Sequence, residues 1–354
     1  MSSELPSAGV SVSCPTPLVG GDRVLLGHGS GGKMTAELIA RYFLPAFRNP
    51  YLERLDDQAV LELEGARVAF TTDSYVVSPL FFPGGDIGAL AVNGTVNDLA
   101  MAGARPMYLS AGFILEEGFP LVDLRRIVES MRAAAETADV LLVTGDTKVV
   151  GRSKADGCFI NTAGIGLVAH GLEISARLAR PGDVVIVSGS IAEHGMAIMA
   201  TRSELELASP IISDTAPLNR LVRDMLDTGG EIHCLRDPTR GGVAMALNEI
   251  ARQSGVGIAL EEQSIPVREP VRGVCELLGL DPLYAASEGR LLAIVAPWDA
   301  ERVLRRMQGG PDGQEARIIG VVVEDRERLV VLKTRIGGWR VVDMPAGDQL
   351  PRIC

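Results

Sequence analysis

The stretch TTDSYVVSPLFFPGGDIGALAVNGTVNDLAMAGA, residues 71–104, sets polar side chains at intervals within an apolar run. Asp73, Asn93, Asn97 and Asp98 supply carboxylate and amide oxygens, which are hard ligands. A lone charge buried beside apolar strands is costly, and a cation or a hydrogen-bond donor would offset that cost. The stretch therefore favours a Mg²⁺ site that is shared with the phosphates of a nucleotide.

Two neighbouring segments repeat this pattern. LDDQAV, residues 55–60, contains Asp56 and Asp57, and TGDTKVV, residues 144–150, contains Asp146. A cap or turn role would explain any one of these aspartates. Their recurrence in one region favours a shared set of ligands instead.

Around these segments, strand-type and helix-type runs alternate. ARVAFTT (66–72) and PMYLSAGFIL (106–115) are typical of strands, whereas LVDLRRIVESMRAAAETA (121–138) is typical of a helix. ARPGDVVIVSGS (179–190) begins a second block of the same kind. This alternation predicts an α/β or α+β fold with two domains, at residues 22–170 and 171–338. Residues 1–21 are expected to form a flexible leader, and residues 339–354 a flexible tail that ends in Cys354.

Composition excludes several classes of protein. The formal net charge of −11 disfavours a broad nucleic-acid surface. The five cysteines include no CxxC pair, so neither a disulfide framework nor a structural zinc site is expected. No signal peptide and no run of about 18 apolar residues is evident, which predicts a cytoplasmic protein that does not enter membranes.

A glycine-rich segment, GHGSGGKM at residues 27–34, has the G-x-x-x-x-G-K spacing of a P-loop up to Lys33. The next residue is Met34, which lacks the hydroxyl that holds Mg²⁺ in a P-loop. A flexible turn before a helix is the simpler interpretation. Glycine-rich backbone can nevertheless point N–H groups at an anion, so we expect Lys33 to contact phosphate.

Further candidates lie in the second block. In CLRDPTRGGVAMALNEIA, residues 234–251, Asp237 and Arg240 precede two glycines and a predicted helix. Helix capping would be enough to explain Asp237. It does not explain Arg240, which stands beside two glycines and so suits an anion site. Glu288 in ASEGRLLAIV, residues 286–295, stands at a glycine before a strand, where a turn role is the alternative.

Together, GHGSGGK, the 71–104 stretch, GDTKVV, RDPTRGG and the final PRIC closely resemble the HypE family of nickel–iron hydrogenase maturation factors. The resemblance runs from about Asp22 to Cys354. This family belongs to an ATP-binding superfamily with aminoimidazole ribonucleotide synthetase, selenophosphate synthetase and thiamine-monophosphate kinase. The resemblance implies a two-domain aminoimidazole-ribonucleotide-synthetase-like fold, a homodimer formed through the first domain, and ATP with Mg²⁺ as cofactors.

The resemblance also implies a chemistry. Cys354 would receive a carbamoyl group from the carbamoyltransferase HypF, ATP would drive dehydration of the S-carboxamide to S-cyanide, and the HypC–HypD complex would accept the cyanide. Lys148 and Lys33 are the candidates to stabilise the transferring phosphoryl group, and Glu288 or a neighbouring carboxylate would accept the amide proton. The residues expected to bind the nucleotide are Lys33, Asp56, Asp73, Asn93, Asn97, Asp98, Asp146, Thr147, Asp237 and Arg240. The residues expected to bind the metal are Asp56, Asp73, Asp98, Asp146 and Asp237.

Three other functions compete with this one. The nearest is a synthetase or kinase of the same superfamily that acts on a small molecule, with the tail irrelevant. A P-loop-like nucleotide switch is disfavoured by Met34 and by the dispersed aspartates. A prenyl anchor requires a cysteine fourth from the end, whereas Cys354 is last.

Overall fold

The structure is a computed structural model that describes residues 23–29, 31–205, 207, 210–345, 350 and 352–354. The predicted leader, with Cys14, lies outside these residues, as do residues 346–349 and 351 of the predicted tail. Among the described residues, no helix has both the length and the apolar character needed to cross a membrane.

The first domain is a five-stranded sheet covered by two long helices. Its chain begins with a helical segment made of α1 (Lys33–Leu38), a π-helical turn (Ile39–Phe43) and α2 (Leu44–Phe47). The later elements are β1 (Ala59–Leu63), β2 (Ala66–Tyr75), β3 (Phe81–Phe82), β4 (Gly85–Asp86), α3 (Ile87–Met101), β5 (Arg105–Glu116), α4 (Leu121–Ala138), β6 (Leu141–Val150) and β7 (Cys158–Val168). The sheet has the order β1-β2-β7-β5-β6, and β3 and β4 form a separate hairpin.

The second domain is a seven-stranded sheet with its own helices. Its elements are β8 (Val184–Val187), α5 (Glu193–Arg202), α6 (Asn219–Leu226), β9 (Ile232–Arg236), α7 (Gly242–Ser254), β10 (Gly257–Glu261), α8 (Glu269–Leu278), β11 (Leu292–Val295), α9 (Ala300–Gln308), β12 (Arg317–Val323), β13 (Val330–Lys333) and β14 (Trp339–Val341). The strand order is β14-β13-β10-β12-β8-β11-β9.

Helix α3 is the buried centre of the first domain. The carboxylate of Asp86 caps its first turn by accepting hydrogen bonds from the N–H groups of Gly88 and Ala89. Gly94 faces the side chain of Tyr75 so closely that an added Cβ would lie 2.1 Å from the tyrosine hydroxyl oxygen. Only glycine fits at this position, and the close approach fixes the helix against β2.

Helix α4 occupies the segment 121–138 for which the sequence predicts a helix. Its buried side chains, Ile127, Met131, Ala134, Ala135 and Ala138, recur at helical spacing and face the core. The helix ends at Asp139, which adopts the left-handed conformation with φ of 57°.

The second sheet extends further along the chain than the sequence suggests. Strand β14 pairs with β13 in antiparallel register, with Val331 opposite Val341. The N–H of Val342 then donates to the carbonyl oxygen of Val330 at 2.8 Å. Residues 339–342, which were predicted to begin the tail, therefore belong to the second domain because strand pairing satisfies their backbone.

Candidate functional site: a carboxylate cluster beside Cys354

Three aspartates from different parts of the chain form a compact cluster. Asp57 precedes β1, Asp98 lies near the end of α3, and Asp237 follows β9 directly. One carboxylate oxygen of each lies within 4.8 Å of the others. Two of these aspartates come from the first domain and one from the second, so the cluster lies where the domains meet.

Local contacts hold the cluster in place. The hydroxyl of Thr71 donates to Asp98 Oδ2 at 2.8 Å and also contacts the carbonyl oxygen of Asp57 at 3.0 Å. Arg236 lies with its Nε 3.1 Å from Asp57 Oδ1 and also pairs with Glu249. The carboxylates are therefore oriented by neighbours, yet Arg236 offsets only part of their negative charge.

Burial and mutual repulsion disfavour the ionised forms of the three carboxylates. Burial, together with the charges of neighbouring carboxylates, raises the pKa of both Asp57 and Asp98 well above the usual range. Burial likewise raises the pKa of Asp237 to about 6, although Arg236 opposes the rise. Three hard oxygen donors whose ionised forms are destabilised in this way fit a divalent cation such as Mg²⁺.

A second group of charged residues lies next to the cluster. Arg240 Nη2 lies 3.7 Å from Asp73 Oδ1. Burial raises the pKa of Glu288 well above its usual range, and Asp237, Asp214 and Asp73 add to the effect. Glu288 Oε1 has no hydrogen-bond partner among the described residues. Glu288 therefore has one buried carboxyl oxygen that is available for a hydrogen bond to a ligand.

Cys354 lies in this group. Cys354 is buried, with 9% of its surface exposed. Burial raises the pKa of the Cys354 thiol, Arg240 opposes the rise, and Glu288, Asp73 and Asp237 add to it. The thiol therefore lies close enough to charged residues of both domains for them to change its pKa.

The end of the tail is held by strand-like pairing with the first domain. The N–H of Val76 donates to the carbonyl oxygen of Cys354 at 3.1 Å, and the N–H of Ser78 donates to that of Arg352 at 3.2 Å. Arg352 Nε in turn donates to the carbonyl oxygen of Val76 at 3.2 Å. Ile353 is buried in the core of the first domain. These contacts place the predicted reactive cysteine at the candidate site.

Two predicted ligands have structural roles instead. The carboxylate of Asp56 accepts hydrogen bonds from Ser175 Oγ at 3.0 Å and from the N–H of Ala176 at 3.2 Å, so it faces away from the cluster. Its neighbour Asp57 takes the place predicted for Asp56. Asn97 also lies outside the ligand set, because backbone groups of the second domain use both ends of its amide.

Two other predicted residues remain available for a ligand. Asn93 Nδ2 donates to Thr215 Oγ1 at 3.3 Å, while its Oδ1 has no partner among the described residues. Lys33 Nζ lies 2.7 Å from Asp343 Oδ2, and the Lys33 N–H donates to the carbonyl oxygen of Pro345 at 3.0 Å. The glycine-rich segment therefore lies against the base of the tail.

The predicted residues of β6 are separate from the cluster within one chain. Asp146 and Lys148 are exposed and pair with each other at 2.6 Å, and Thr147 lies between them. The register places Asp73 in one row with Thr162, Ala111 and Gly145. Three strand spacings correspond to ~14 Å. A single subunit therefore does not bring these three residues to the aspartates.

Sequence reasoning missed His194 and Asp214. His194 is fully buried, and its Nε2 lies 2.8 Å from the carbonyl oxygen of Ile353. Asp214 Oδ1 accepts from the N–H of His194 at 3.1 Å and from that of Glu288 at 3.2 Å. Neither residue stands in a motif with ligand spacing, and both roles depend on contacts between distant segments.

Comparison with known families agrees with this architecture. A model of the AIR synthase related protein, N-terminal domain, matches residues 55–168, and one of the corresponding C-terminal domain matches residues 180–332. The chain belongs to the AIR synthase related family. Members of this family thus share the two domains whose meeting point carries the carboxylate cluster.

Individual proteins of the AIR synthase related family match this chain more closely than the family models do. A carbamoyl dehydratase HypE from Azotobacter vinelandii is 59% identical, and the match covers 92% of this chain and 96% of the relative. A crystal structure of a HypE–HypF complex matches with a TM-score of 0.83 and 49% identity, over 87% of this chain and 99% of that one. A structure of hydrogenase maturation protein HypE in complex with ATP matches with a TM-score of 0.79 and 50% identity, over 94% and 100%.

Proposed function

We propose that the protein is an ATP-dependent carbamoyl dehydratase that acts on an S-carboxamide carried by its own Cys354. The product is an S-cyanide that supplies the cyanide ligands of the nickel–iron hydrogenase iron. The observation that carries this proposal is the position of Cys354, which lies among Arg240, Glu288 and the aspartates at the meeting point of the domains. The similarity to carbamoyl dehydratases of the HypE type supports it.

The net reaction defines what the site must do. The thiocarboxamide R–S–C(=O)–NH₂ and ATP give R–S–C≡N, ADP and inorganic phosphate. The amide oxygen leaves in the phosphate, and the nitrogen loses both of its protons. Because an amide oxygen is a poor leaving group, the reaction needs a phosphoryl donor for the oxygen and a proton acceptor near the nitrogen.

The carboxylate cluster is suited to the metal of such a reaction. Asp57, Asp98 and Asp237 would hold Mg²⁺, with Asp73 beside them. The cation would neutralise charge on the triphosphate. Asn93, whose Oδ1 has no hydrogen-bond partner among the described residues, would contact the nucleotide.

Glu288 is the proposed proton acceptor. Its raised pKa makes the carboxylate a stronger base than an exposed glutamate. The hydrogen bond from the Glu288 N–H to Asp214 fixes the backbone at this point. Arg240 would orient the oxygen of the carboxamide or the phosphoryl group, because it is the positive charge that acts most strongly on Cys354.

A second copy of the chain is the proposed partner at β6. This strand is the edge of its sheet, and its apolar side chains Leu141, Leu142, Val143 and Val149 are exposed. Exposed apolar edges of this kind are normally covered. A homodimer across β6 would let Asp146, Thr147 and Lys148 serve the nucleotide site of the neighbouring subunit. A Val143→Lys variant that remained dimeric in light scattering would exclude this surface.

The remaining partners follow from the chemistry. HypF is the proposed carbamoyl donor, and the HypC–HypD complex is the proposed acceptor of the cyanide. The reduced thiol that the reaction requires suits the cytoplasm. The rival function, a synthetase or kinase for a small molecule, gives no reason for Cys354 to lie at the aspartates, so we do not favour it.

The intact mass of the protein tests the proposal directly. Incubation with HypF and its carbamoyl donor should add one carbamoyl group to the peptide that carries Cys354. Subsequent addition of Mg-ATP should remove the mass of one water molecule. Cys354→Ala should show neither change, whereas the matched control Cys14→Ala should show both. Modification of Cys158, Cys234 or Cys275 instead would overturn the proposal.

A further inference from the structure

The end of the tail is recognised through its main chain. Val76, Ser78, His194 and Arg202 all direct donors at carbonyl oxygens of residues 352–354. Among the hydrogen bonds between described residues, none involves the sulfur of Cys354. The hydrogen bonds that hold the tail therefore do not depend on the sulfur.

The hydrogen bonds of His194 define its tautomer. The carbonyl oxygen of Ile353 can only accept, so His194 Nε2 must carry the hydrogen of the 2.8 Å contact. Nδ1 is then the acceptor, and Ser213 Oγ donates to it at 2.8 Å. The ring of Phe82 meets the imidazole edge-on, with centroids 5.3 Å apart. Burial lowers the pKa of His194 and so favours this neutral form, whose Nε2–H points at the tail.

Arg202 makes the second side-chain contact. Its guanidinium donates to the carbonyl oxygen of Arg352 and, at 2.5 Å through Nε, to that of Ser78. Arg202 thereby links the tail to residues 76–78, the segment that pairs with the tail. Arg202 and His194 lie at opposite ends of α5, so a single helix presents both donors.

Asp214 links helix α5 to Glu288, the proposed proton acceptor. One of its carboxylate oxygens accepts from the N–H of His194 and from the N–H of Glu288. Arg290 Nε lies 3.6 Å from the other oxygen. The residue that holds the tail and the proposed proton acceptor therefore share one anchor, which fixes their separation.

We propose that His194 is a positioning residue that, together with Arg202, holds the main chain of the tail so that Cys354 stays at the carboxylate cluster whatever group its sulfur carries. The role in dehydration rests on the proposed function, whereas the docking itself does not. Because these hydrogen bonds do not use the sulfur, the same main-chain contacts serve the thiol, the carboxamide and the cyanide in this proposal.

Two substitutions at His194 separate positioning from general stability. In His194→Gln, the side-chain amide can replace Nε2 as the donor to Ile353. In His194→Asn, the shorter amide keeps a partner for Ser213 but does not reach Ile353. His233→Asn is a matched control, because His233 is also buried but contacts Asp183 and Glu231 rather than the tail.

The first measurement is the rate at which iodoacetamide alkylates Cys354 in the folded, nucleotide-free protein, followed by peptide mass mapping. Loss of one hydrogen bond should raise the undocked fraction, and with it the rate, roughly threefold to tenfold in His194→Asn. His194→Gln and His233→Asn should alkylate at the parent rate. An unchanged rate in His194→Asn, or equal increases in both His194 variants, would overturn the proposal.

The second measurement is single-turnover dehydration of the carbamoylated protein. His194→Asn should lower the rate while the affinity for ATP is unchanged, and His194→Gln should restore the rate. If the His194 variants do not fold, Arg202→Gln provides the same alkylation test, and a parent-like rate in that variant would contradict the proposal. The alkylation assay needs neither carbamoyl donor nor ATP, so a failure of the proposed dehydration is distinguishable from a failure of docking.

Discussion

The side-chain amide of Asn97 donates a hydrogen bond to the main-chain carbonyl of Glu288 at 3.1 Å. The same Nδ2 donates to the carbonyl of Ala216, and Oδ1 accepts from the N–H of Leu218 at 2.7 Å. Helix α3 of the first domain is therefore attached to three backbone groups of the second. This hydrogen bond also links the main chain of Glu288 to α3, the helix that carries Asp98.

Replacement of Asn97 by alanine should leave three buried backbone groups without partners. We expect the free energy of unfolding in urea to fall by about 1–3 kcal/mol, the usual cost of unsatisfied buried groups. Asn93→Ala, one turn earlier on the same helix, is the control, since Asn93 makes a single 3.3 Å contact. If both variants lost equal stability, the special role of Asn97 would be refuted.

Replacement of Asp98 by asparagine should preserve or raise thermal stability without Mg²⁺, and should abolish the stabilisation that Mg²⁺ provides. The substitution removes one of three mutually repelling carboxylates, so the metal-free protein should be as stable as the parent or more stable. Mg²⁺ should raise the melting temperature of the parent but not of Asp98→Asn, and ATP turnover should be lost. Thermal unfolding with and without Mg²⁺ measures the first two effects.

Asp56→Asn is the matched control for this experiment. Asp56 stands next to a cluster member in sequence, but Ser175 and Ala176 occupy its carboxylate. This variant should lose some stability and keep the full response to Mg²⁺. A normal Mg²⁺ response in Asp98→Asn, or its loss in Asp56→Asn, would exclude the assigned metal site.

The stability contributed by His194 should depend on pH. Burial lowers the pKa of His194 below 6.5, with Arg202 adding to the effect and the Ile353 carbonyl and Asp214 opposing it. Below about pH 6.5 the unfolded chain binds a proton that the folded chain resists, so stability falls as the pH falls. Glutamine does not titrate in this range.

Urea unfolding of the parent and of His194→Gln at pH 8, 7, 6 and 5 provides the measurement. The parent's advantage in free energy of unfolding over the variant should shrink steadily below about pH 6.5. A difference that stays constant over this range would show that His194 does not resist protonation in the folded protein.

Local sequence predicted those features that depend on local physics. Helix α4 could be predicted because its apolar residues recur at helical spacing and one side of it is solvated. The sequence singled out Asp98 and Asp237 because a carboxylate within an apolar context needs compensation, and the structure brings both next to Asp57; their role as ligands stays a prediction. The two-domain organisation followed from the repeated alternation of strand-type and helix-type runs, and the family match agrees with it.

Features that depend on long-range contacts could not be predicted in this way. Asp56 and Asp57 are chemically identical neighbours, and only the direction of each side chain relative to Ser175 and Asp98 separates their roles. The partner of His194 lies 159 residues away. No periodicity or spacing encodes either relationship, since both arise from the packing of the domains.

Lys33 provides a last test, because its ammonium group has two proposed uses. It lies 2.7 Å from Asp343 Oδ2, and we expect it to contact phosphate when a nucleotide binds. Asp343→Asn should strengthen ATP binding, by no more than about fivefold because the pair is partly exposed. Isothermal titration measures this change, and an unaltered or weaker affinity would contradict the phosphate role of Lys33.

If Lys33 contacts phosphate as we expect, the contact between the glycine-rich segment and the base of the tail would link nucleotide binding thermodynamically to tail movement. The Lys33 ammonium group pairs with Asp343, and the Lys33 main-chain N–H donates to Pro345, so a phosphate that attracted the ammonium group would compete with Asp343 at the base of the tail. Such coupling is reciprocal: the factor by which ATP loosens the base is the factor by which an anchored base weakens ATP binding. The protein would then sense nucleotide occupancy through the same segment that delivers its cysteine.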